Sequence, residues 1–251
     1  MQVLVNNLNI NFQVYGNGLP LIILPGWGDR SDNWYAVAQL LASHCQVFVL
    51  DLPGFGVSDA PQTTWGIDDY KNIVKGFIEQ MEIDKPILLG HSHGGKVACT
   101  IAAEGQINYC RALILVSSSG VDIPSLIVKS KILWFKTIKL LVRPLGQYGE
   151  KIIDYYRGKL GSRDYQEAGS LRATMVKVVN YKVFPLLPKI NVPTLIIWGS
   201  DDKTLSVKQA KIFEKLIKGS YIRLIWGGGH HPHLSNPQEL ADLSGEFLAE
   251  Q

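Results

Sequence analysis

The sequence predicts an α/β architecture: a mostly parallel central sheet with helices on both faces and one helical insertion. Three observations predict it. Short aliphatic runs alternate with glycine-bearing loops and helical stretches, first up to about residue 120 and again from about residue 190. That alternation stops between about Val121 and Lys189, where only helical patterning is left. The opening stretch alternates apolar and polar residues from Leu8 to Val14, the period of a half-buried strand. The expected organisation is a core of residues 1–120 and 190–251 carrying a helical cap of residues 121–189.

The elements follow in order. The first fifteen residues read as two short strands reversing at Asn6-Asn7, a good turn pair. Leu21–Leu24 is a buried strand, and a helix is expected from Ser31/Asp32, either of which can cap it, to Ala42. Gln46–Leu50 is the next strand, with a helix over about Asp69–Met81. Pro86–Leu89 is followed by a helix from about His93 to Ala103, then by the strand Leu113–Ser117. After the insertion come the strands Thr194–Trp198 and Tyr221–Ile225, with a helix near Val207–Leu216 between them. A last helix covers roughly Pro237–Ala249. The insertion reads as helical pieces, SLIVKSKILWFKTIKLLVRPLG, YGEKIIDYYRGKLG and YQEAGSLRATMVKVV.

Composition narrows the function classes. With 46% hydrophobic and 19% charged residues and six tryptophans, 251 residues supply a sizeable core, which excludes intrinsic disorder. A net charge of +3 is too mild to imply nucleic-acid binding. The charge is unevenly spread, however. Residues 121–189 hold 13 Lys+Arg against 5 Asp+Glu, or +8, and the remainder 12 against 17, or −5. Such a run is more often a solvated helix face than a binding surface, and its functional reading is a basic entrance for an anionic substrate or carrier. The three cysteines, Cys45, Cys99 and Cys110, have no framework spacing and read as small residues in a reducing compartment. No apolar run approaches the roughly 20 residues that span a bilayer, and the N-terminus lacks the pattern of a signal peptide. A cytoplasmic protein with no membrane partner is expected.

The stretch ILLGHSHGGKVACTIA, Ile87 to Ala102, passes from aliphatic strand into helix through Gly90-His91-Ser92-His93-Gly94. This is G-x-S-x-G in the context that motif requires, strand before and helix after. A serine held in so tight a turn needs small neighbours, which Gly90, Gly94 and Gly95 supply. The turn lifts the hydroxyl above the sheet edge, and the following helix aims its first amides at developing negative charge. A glycine-rich packing turn is the plainer alternative.

With these residues the chain resembles the α/β-hydrolase superfamily over nearly its whole length. Pro25-Gly26-Trp27-Gly28 follows the first central strand, where the family has its oxyanion loop, commonly His-Gly-x-Gly. Asp51-Leu52-Pro53-Gly54-Phe55-Gly56-Val57-Ser58 is similar to the family's D-x-x-G-x-G-x-S loop. Trp198-Gly199-Ser200-Asp201-Asp202 is similar to the segment with the triad acid, and Gly229-His230 to the segment with the triad histidine. Their order, Ser then Asp then His, is the family's order.

The resemblance implies a cofactor-independent serine hydrolase acting on a carboxylic ester or related acyl bond. Ser92 is the candidate nucleophile, His230 the base that takes its proton, and Asp202 the group that orients the imidazole. Asp201 is the rival acid; the family's spacing, three positions after the glycine, selects Asp202, and Asp201 is expected to cap the loop or the next helix. The backbone amides of Trp27 and His93 are the candidate oxyanion donors. Pro25 departs from the pattern and removes a donor from that loop. The Trp27 ring either lines the acyl pocket or anchors its loop. The pairs His91-x-His93 and His231-x-His233 raise the question of a metal, but both lie inside motifs already explained and no carboxylate completes a ligand set, so none is expected. His91 and His233 are expected to give supporting hydrogen bonds. No phosphate-cradling motif is present, and no cofactor is expected.

Among subfamilies, Leu24–Gly28 and Asp51–Gly56 look most like pimeloyl-carrier methyl ester esterases of biotin synthesis, which use a basic cap to hold an acidic acyl carrier protein. A carbon–carbon bond hydrolase of the ring-cleavage type and a non-catalytic ligand receptor are the other readings. Cap residues such as Leu133, Trp134, Phe135 and Met175 are expected to bound the pocket or to form the cap's own core, and Lys136 and Lys139 to meet a carrier.

Overall fold

A computed structural model describes residues 1–121, 123, 134, 137–160 and 163–251, with backbone alone at 154–160 and 163–164. Eight strands form one sheet: β1 (Gln2–Val5), β2 (Leu8–Tyr15), β3 (Pro20–Leu24), β4 (Gln46–Leu50), β5 (Ile87–His91), β6 (Ala112–Val116), β7 (Thr194–Gly199) and β8 (Tyr221–Ile225). Their order across the sheet is β1-β2-β4-β3-β5-β6-β7-β8. β1 and β2 join antiparallel at one edge, through a turn in which Asn6 and Asn7 take φ of 48° and 65°. Asparagine tolerates that left-handed conformation better than most side chains. From β4 to β8 every pairing is parallel.

The central strands are apolar over most of their length because the sheet is covered on both faces. Successive side chains point to opposite faces, so in β3 Leu21 and Ile23 join one core cluster and Ile22 and Leu24 the other. The first cluster centres on Trp34, Val37, Leu41 and Phe247 and is covered by α1 (Tyr35–Leu41) and the C-terminal helix Pro237–Leu248. The second centres on Tyr70, Phe77, Val97 and Phe213, from α2 (Ile67–Gln80), α3 (His93–Ala102) and the helix Val207–Leu216. Each such fully buried aliphatic or aromatic side chain contributes about 1.5–3 kcal/mol relative to exposure.

One predicted helix is built differently. Residues Ser31–Trp34 form a 3-10 turn before α1, and neither Ser31 nor Asp32 caps a helix. The Ser31 amide donates instead to Asp51 Oδ1 at 2.6 Å, and the Asp32 carboxylate is taken by Gln13 and Arg30. The Asp32 carboxylate is thus engaged away from the helix start, and the Ser31 amide is held by a residue 20 positions on.

The insertion between β6 and β7 holds helical residues 137–142 and the helices Gln147–Leu160, Arg163–Glu167 and Arg172–Asn180, with no strand among its described residues. Its last helix packs on the core. The Trp65 amide donates to Thr174 Oγ1 at 3.1 Å, Val178 is buried in the second cluster, and Lys96 Nζ donates to the Val178 carbonyl at 2.8 Å. No described helix is long and apolar enough to cross a membrane.

Candidate active site

The C-terminal ends of parallel strands open onto a crevice where open α/β sheets bind their ligands, and the loops leaving β3, β5, β7 and β8 meet there. Ser92, directly after β5, has φ 47° and ψ −106°, a strained backbone for a residue with a side chain. The surroundings hold it there. A methyl group on Gly94 would stand 1.9 Å from the Leu24 carbonyl oxygen, and one on Gly95 2.2 Å from Ser118 Oγ, so strand β3 and helix α3 close on the turn only without side chains. The Ser92 amide donates to the Val116 carbonyl at 3.1 Å, and its own carbonyl accepts from the Ser119 amide at 3.1 Å and hydroxyl at 3.0 Å.

His230 lies on the loop after β8. Its Nε2 is 3.3 Å from Ser92 Oγ, and its Nδ1 is 2.8 Å from Asp202 Oδ2. The other oxygen of Asp202 accepts the amides of Thr204 at 2.8 Å and Leu205 at 2.7 Å, which fixes the carboxylate's orientation. Burial pushes this carboxyl's pKa up, but the hydrogen bonds from His230 and those two amides outweigh it and leave it below its ordinary value. Asp201 is turned away: it accepts the Ser200 hydroxyl at 3.0 Å, and the loop amides it was expected to cap go to Asp202. The loops after β7 and β8 cross closely, because a methyl group on Gly199 would come within 2.3 Å of the Gly228 and Gly229 carbonyl oxygens.

His91 sits wholly buried behind the serine and bonds through Nε2 to the His230 carbonyl at 2.8 Å. As donor there it ties the histidine loop to the elbow. Burial, followed by the neighbouring His233 and His230, holds its pKa well below the ordinary value, so the ring is neutral. His233 lies 3.2 Å from Asp29 Oδ2 and stacks on Trp34 at 4.2 Å, and Trp34 Nε1 donates to the same carboxylate at 3.0 Å. One ring nitrogen each of His91, His231 and His233 lies within 4.8 Å of the other two, which makes this the set among the described residues that could gather round a metal. Of the three, His91 is hydrogen-bonded to the His230 carbonyl, whereas His233 approaches Asp29 without a well-aligned hydrogen bond at either ring nitrogen, so the supporting bond expected of it is not formed.

Trp27 and His93 flank the hydroxyl. His93 is the first residue of α3, so its amide has no acceptor within the helix; among the described residues neither this amide nor that of Trp27 donates to another group. The rings meet edge to face at 5.6 Å, and Phe55 and Tyr70 complete an aromatic box around His93. The His93 side chain is therefore buried, with neither ring nitrogen hydrogen-bonded, and burial followed by the Lys96 charge lowers its pKa to about 3. Despite Pro25, the β3 loop closes through the Asp29 amide to the Gly26 carbonyl at 3.3 Å.

A cavity of about 210 Å³ opens beside Ser92, lined by Trp27, Lys96, Met175, Val178 and Leu205 among others. On the far side of Trp27 a second hollow of about 520 Å³ runs between Gly54, Phe55 and Leu171. The Trp27 ring thus lines a pocket and anchors its loop at once. Met175 lines the cavity, Trp134 is half-exposed and lines neither, and Leu133, Phe135 and Lys136 lie outside the described residues. Sequence reading missed Ser119 and Lys96. For Lys96 a signal existed, since it lies four residues after Ser92 and so one helical turn along α3.

Fold and site together define a class. A model of the alpha/beta hydrolase family matches residues 21–243, and the chain belongs to that family. The chain is 28% identical to the 2-hydroxy-6-oxo-6-(2'-aminophenyl)hexa-2,4-dienoic acid hydrolase of Metapseudomonas resinovorans, over 93% of this chain and 85% of that protein. It is 26% identical to the pimeloyl-[acyl-carrier protein] methyl ester esterase of Legionella pneumophila (strain Corby), over 96% of this chain and all of that one. Among solved structures it is similar to a membrane phospholipase A described as a bacterial virulence factor, with a TM-score of 0.80 and 25% identity over 100% of this chain and 85% of the other.

Proposed function

We propose that the protein is a cofactor-independent serine hydrolase that cleaves a carboxylic ester through an acyl-enzyme. The observation that carries this reading is the continuous chain from Ser92 Oγ to His230 at 3.3 Å and from His230 to Asp202 at 2.8 Å. A serine hydroxyl is a poor nucleophile near neutral pH and needs a base within reach. In this reading His230, in the tautomer that donates from Nδ1 to Asp202, takes the Ser92 proton through Nε2 as the oxygen attacks the ester carbonyl. The oxyanion is received by the Trp27 and His93 amides, and the α3 N-terminus adds favourable field. His230 then protonates the leaving alcohol, and water reverses the sequence to release the acid. The helical segment 121–189 serves as a cap whose Met175 and Val178 bound the acyl side. Three cysteines present as buried free thiols are in keeping with a cytoplasmic setting.

The test is labelling by a fluorophosphonate probe. Labelling that Ser92→Ala abolishes supports the proposal, whereas a folded protein that never labels favours a receptor on a hydrolase scaffold. A second reading, a carrier-linked methyl ester as substrate, is favoured by the full-length match to the Legionella esterase and the +8 charge of the insertion. A panel of p-nitrophenyl esters of rising chain length, run beside a carrier-linked methyl ester, ranks the two. Lys136→Glu and Lys139→Glu then raise KM for the carrier ester and leave a small aryl ester unaffected. The likeness to the dienoic acid hydrolase makes a carbon–carbon substrate the control to include.

A further inference from the structure

The insertion exposes apolar side chains that neither reading of the substrate uses. From Ile123 to Gly149 the sequence holds Lys129, Lys131, Lys136, Lys139 and Arg143 and no aspartate or glutamate. In the described part of this stretch Ile123, Ile138 and Val142 are half-buried but four large apolar side chains face outward, with the exposed Glu150 at the patch's end as its nearest acid in the chain. Leu140 is 73% exposed, Leu141 70%, Tyr148 66% and Leu145 55%, and Lys139 and Arg143 are exposed among them. None of the four lines either hollow beside Ser92. Single exposed leucines are ordinary on protein surfaces, but several in one short run, interleaved with cations only, form a patch that calls for a partner.

Two kinds of surface answer the charge: an acidic protein and an anionic bilayer. The apolar content separates them. A carboxylate-rich protein face pairs with Lys139 and Arg143 but offers four neighbouring apolar side chains less apolar depth than a layer of acyl chains does. A bilayer interface offers both, anionic headgroups for the cations and acyl chains for the leucines a few ångströms deeper, with the lysine stem bridging the two levels. We propose that this face of the insertion docks the protein on an anionic membrane surface. The segment lies in the interface and does not cross it, so the absence of a spanning helix among the described residues is compatible with it. The docking is independent of which acyl bond the site cleaves.

The experiment is co-sedimentation of the full chain with vesicles of phosphatidylcholine alone and of phosphatidylcholine with phosphatidylglycerol, at low and high salt. The expected result is partition about tenfold stronger onto the anionic vesicles. Salt weakens that binding without abolishing it, because screening removes the charge contribution and leaves the apolar one. The pair Leu140→Glu and Leu141→Glu lowers the partition at least tenfold and removes what survives high salt, at an unchanged melting temperature. The milder Leu140→Ser and Leu141→Ser pair gives the same direction should the charged pair disturb folding. Bromine placed on the lipid acyl chains quenches part of the tryptophan emission of the wild type, and Trp134→Phe removes that quenched part. Three outcomes overturn the proposal: no binding to anionic vesicles; binding that Lys139→Glu with Arg143→Glu abolishes but the leucine variants leave intact, which is charge attraction alone and fits an acidic carrier protein; or a dimer in sedimentation velocity that the leucine variants split, which makes a second copy of the chain the occupant.

Discussion

His93→Phe tests whether the fold holds the imidazole after Ser92 neutral and away from water. The imidazole is wholly buried among the rings of Trp27, Phe55 and Tyr70, with no hydrogen bond at either nitrogen. Its pKa falls from 6.5 to about 3, first by burial and then by the nearby Lys96 charge. The folded value is depressed, so the unfolded chain binds the extra proton. Stability is then full above pH 6.5 and is lost as pH falls towards 3. One proton is worth about 1.4 kcal/mol per pH unit, which gives about 2 kcal/mol between pH 6.5 and 5 and on the order of 5 kcal/mol over the whole interval. Phenylalanine keeps the aromatic box and the amide but removes the titration. Urea unfolding at pH 7, 6 and 5 measures it. The wild type should lose about 2 kcal/mol more than the variant by pH 5, with His91 contributing equally to both. Parallel stability curves would refute the reasoning, since they would mean that the ring is solvated or hydrogen-bonded in the fold.

Asp202→Asn should lower kcat on an aryl ester by about 10³–10⁴-fold, because the imidazole loses the partner that fixes its tautomer, while Asp201→Asn stays within about twofold. Equal losses in steady-state assays would sink the assignment of the acid. Gly94→Ala puts a methyl group 1.9 Å from the Leu24 carbonyl oxygen, an atom of a central strand that cannot move aside. A loss of at least about 3 kcal/mol is expected, read as a melting point lowered by roughly 6–12 °C, and a variant that melts with the wild type contradicts it. Lys96→Met strips the donor from the Val178 carbonyl at the end of the helix Arg172–Asn180. The expected cost is about 1–3 kcal/mol, with a KM for esters that rises more than kcat falls. A kcat loss at constant KM would place Lys96 in the chemistry instead of the cavity wall.

Legibility followed the range of the forces involved. The central strands were plain in the sequence because a sheet covered on both faces demands short, largely apolar runs, as in Leu21–Leu24 and Leu113–Val116. The elbow was plain for a local reason as well, three glycines within six residues around one serine. The turn at Asn6-Asn7 and the helix after Gly94 likewise need only neighbours in the chain. The Ser31–Ala42 helix misled because the Asp32 carboxylate met Gln13, 19 residues away, and the Ser31 backbone amide was drawn to Asp51, 20 residues away, which sets the chain as a 3-10 turn there. Local propensity had no knowledge of them.

The sequence by itself determined the parallel sheet, the interrupting helical segment and the three residues to inspect at 92, 202 and 230, since each is encoded in a short stretch with its own backbone demands. Only the tertiary structure decided that Asp202 and not Asp201 meets the imidazole, that the His93 ring is sealed inside an aromatic box, that His91 ties down the histidine loop, and that Leu140 and Leu141 face outward. These are matters of where a side chain points once segments distant in the chain, 28 residues apart for Asp202 and His230 and 139 for His91 and His230, are packed together. Orientation of that kind is set by close packing and by the competition for buried hydrogen-bond partners, and neither exists until the sheet has closed.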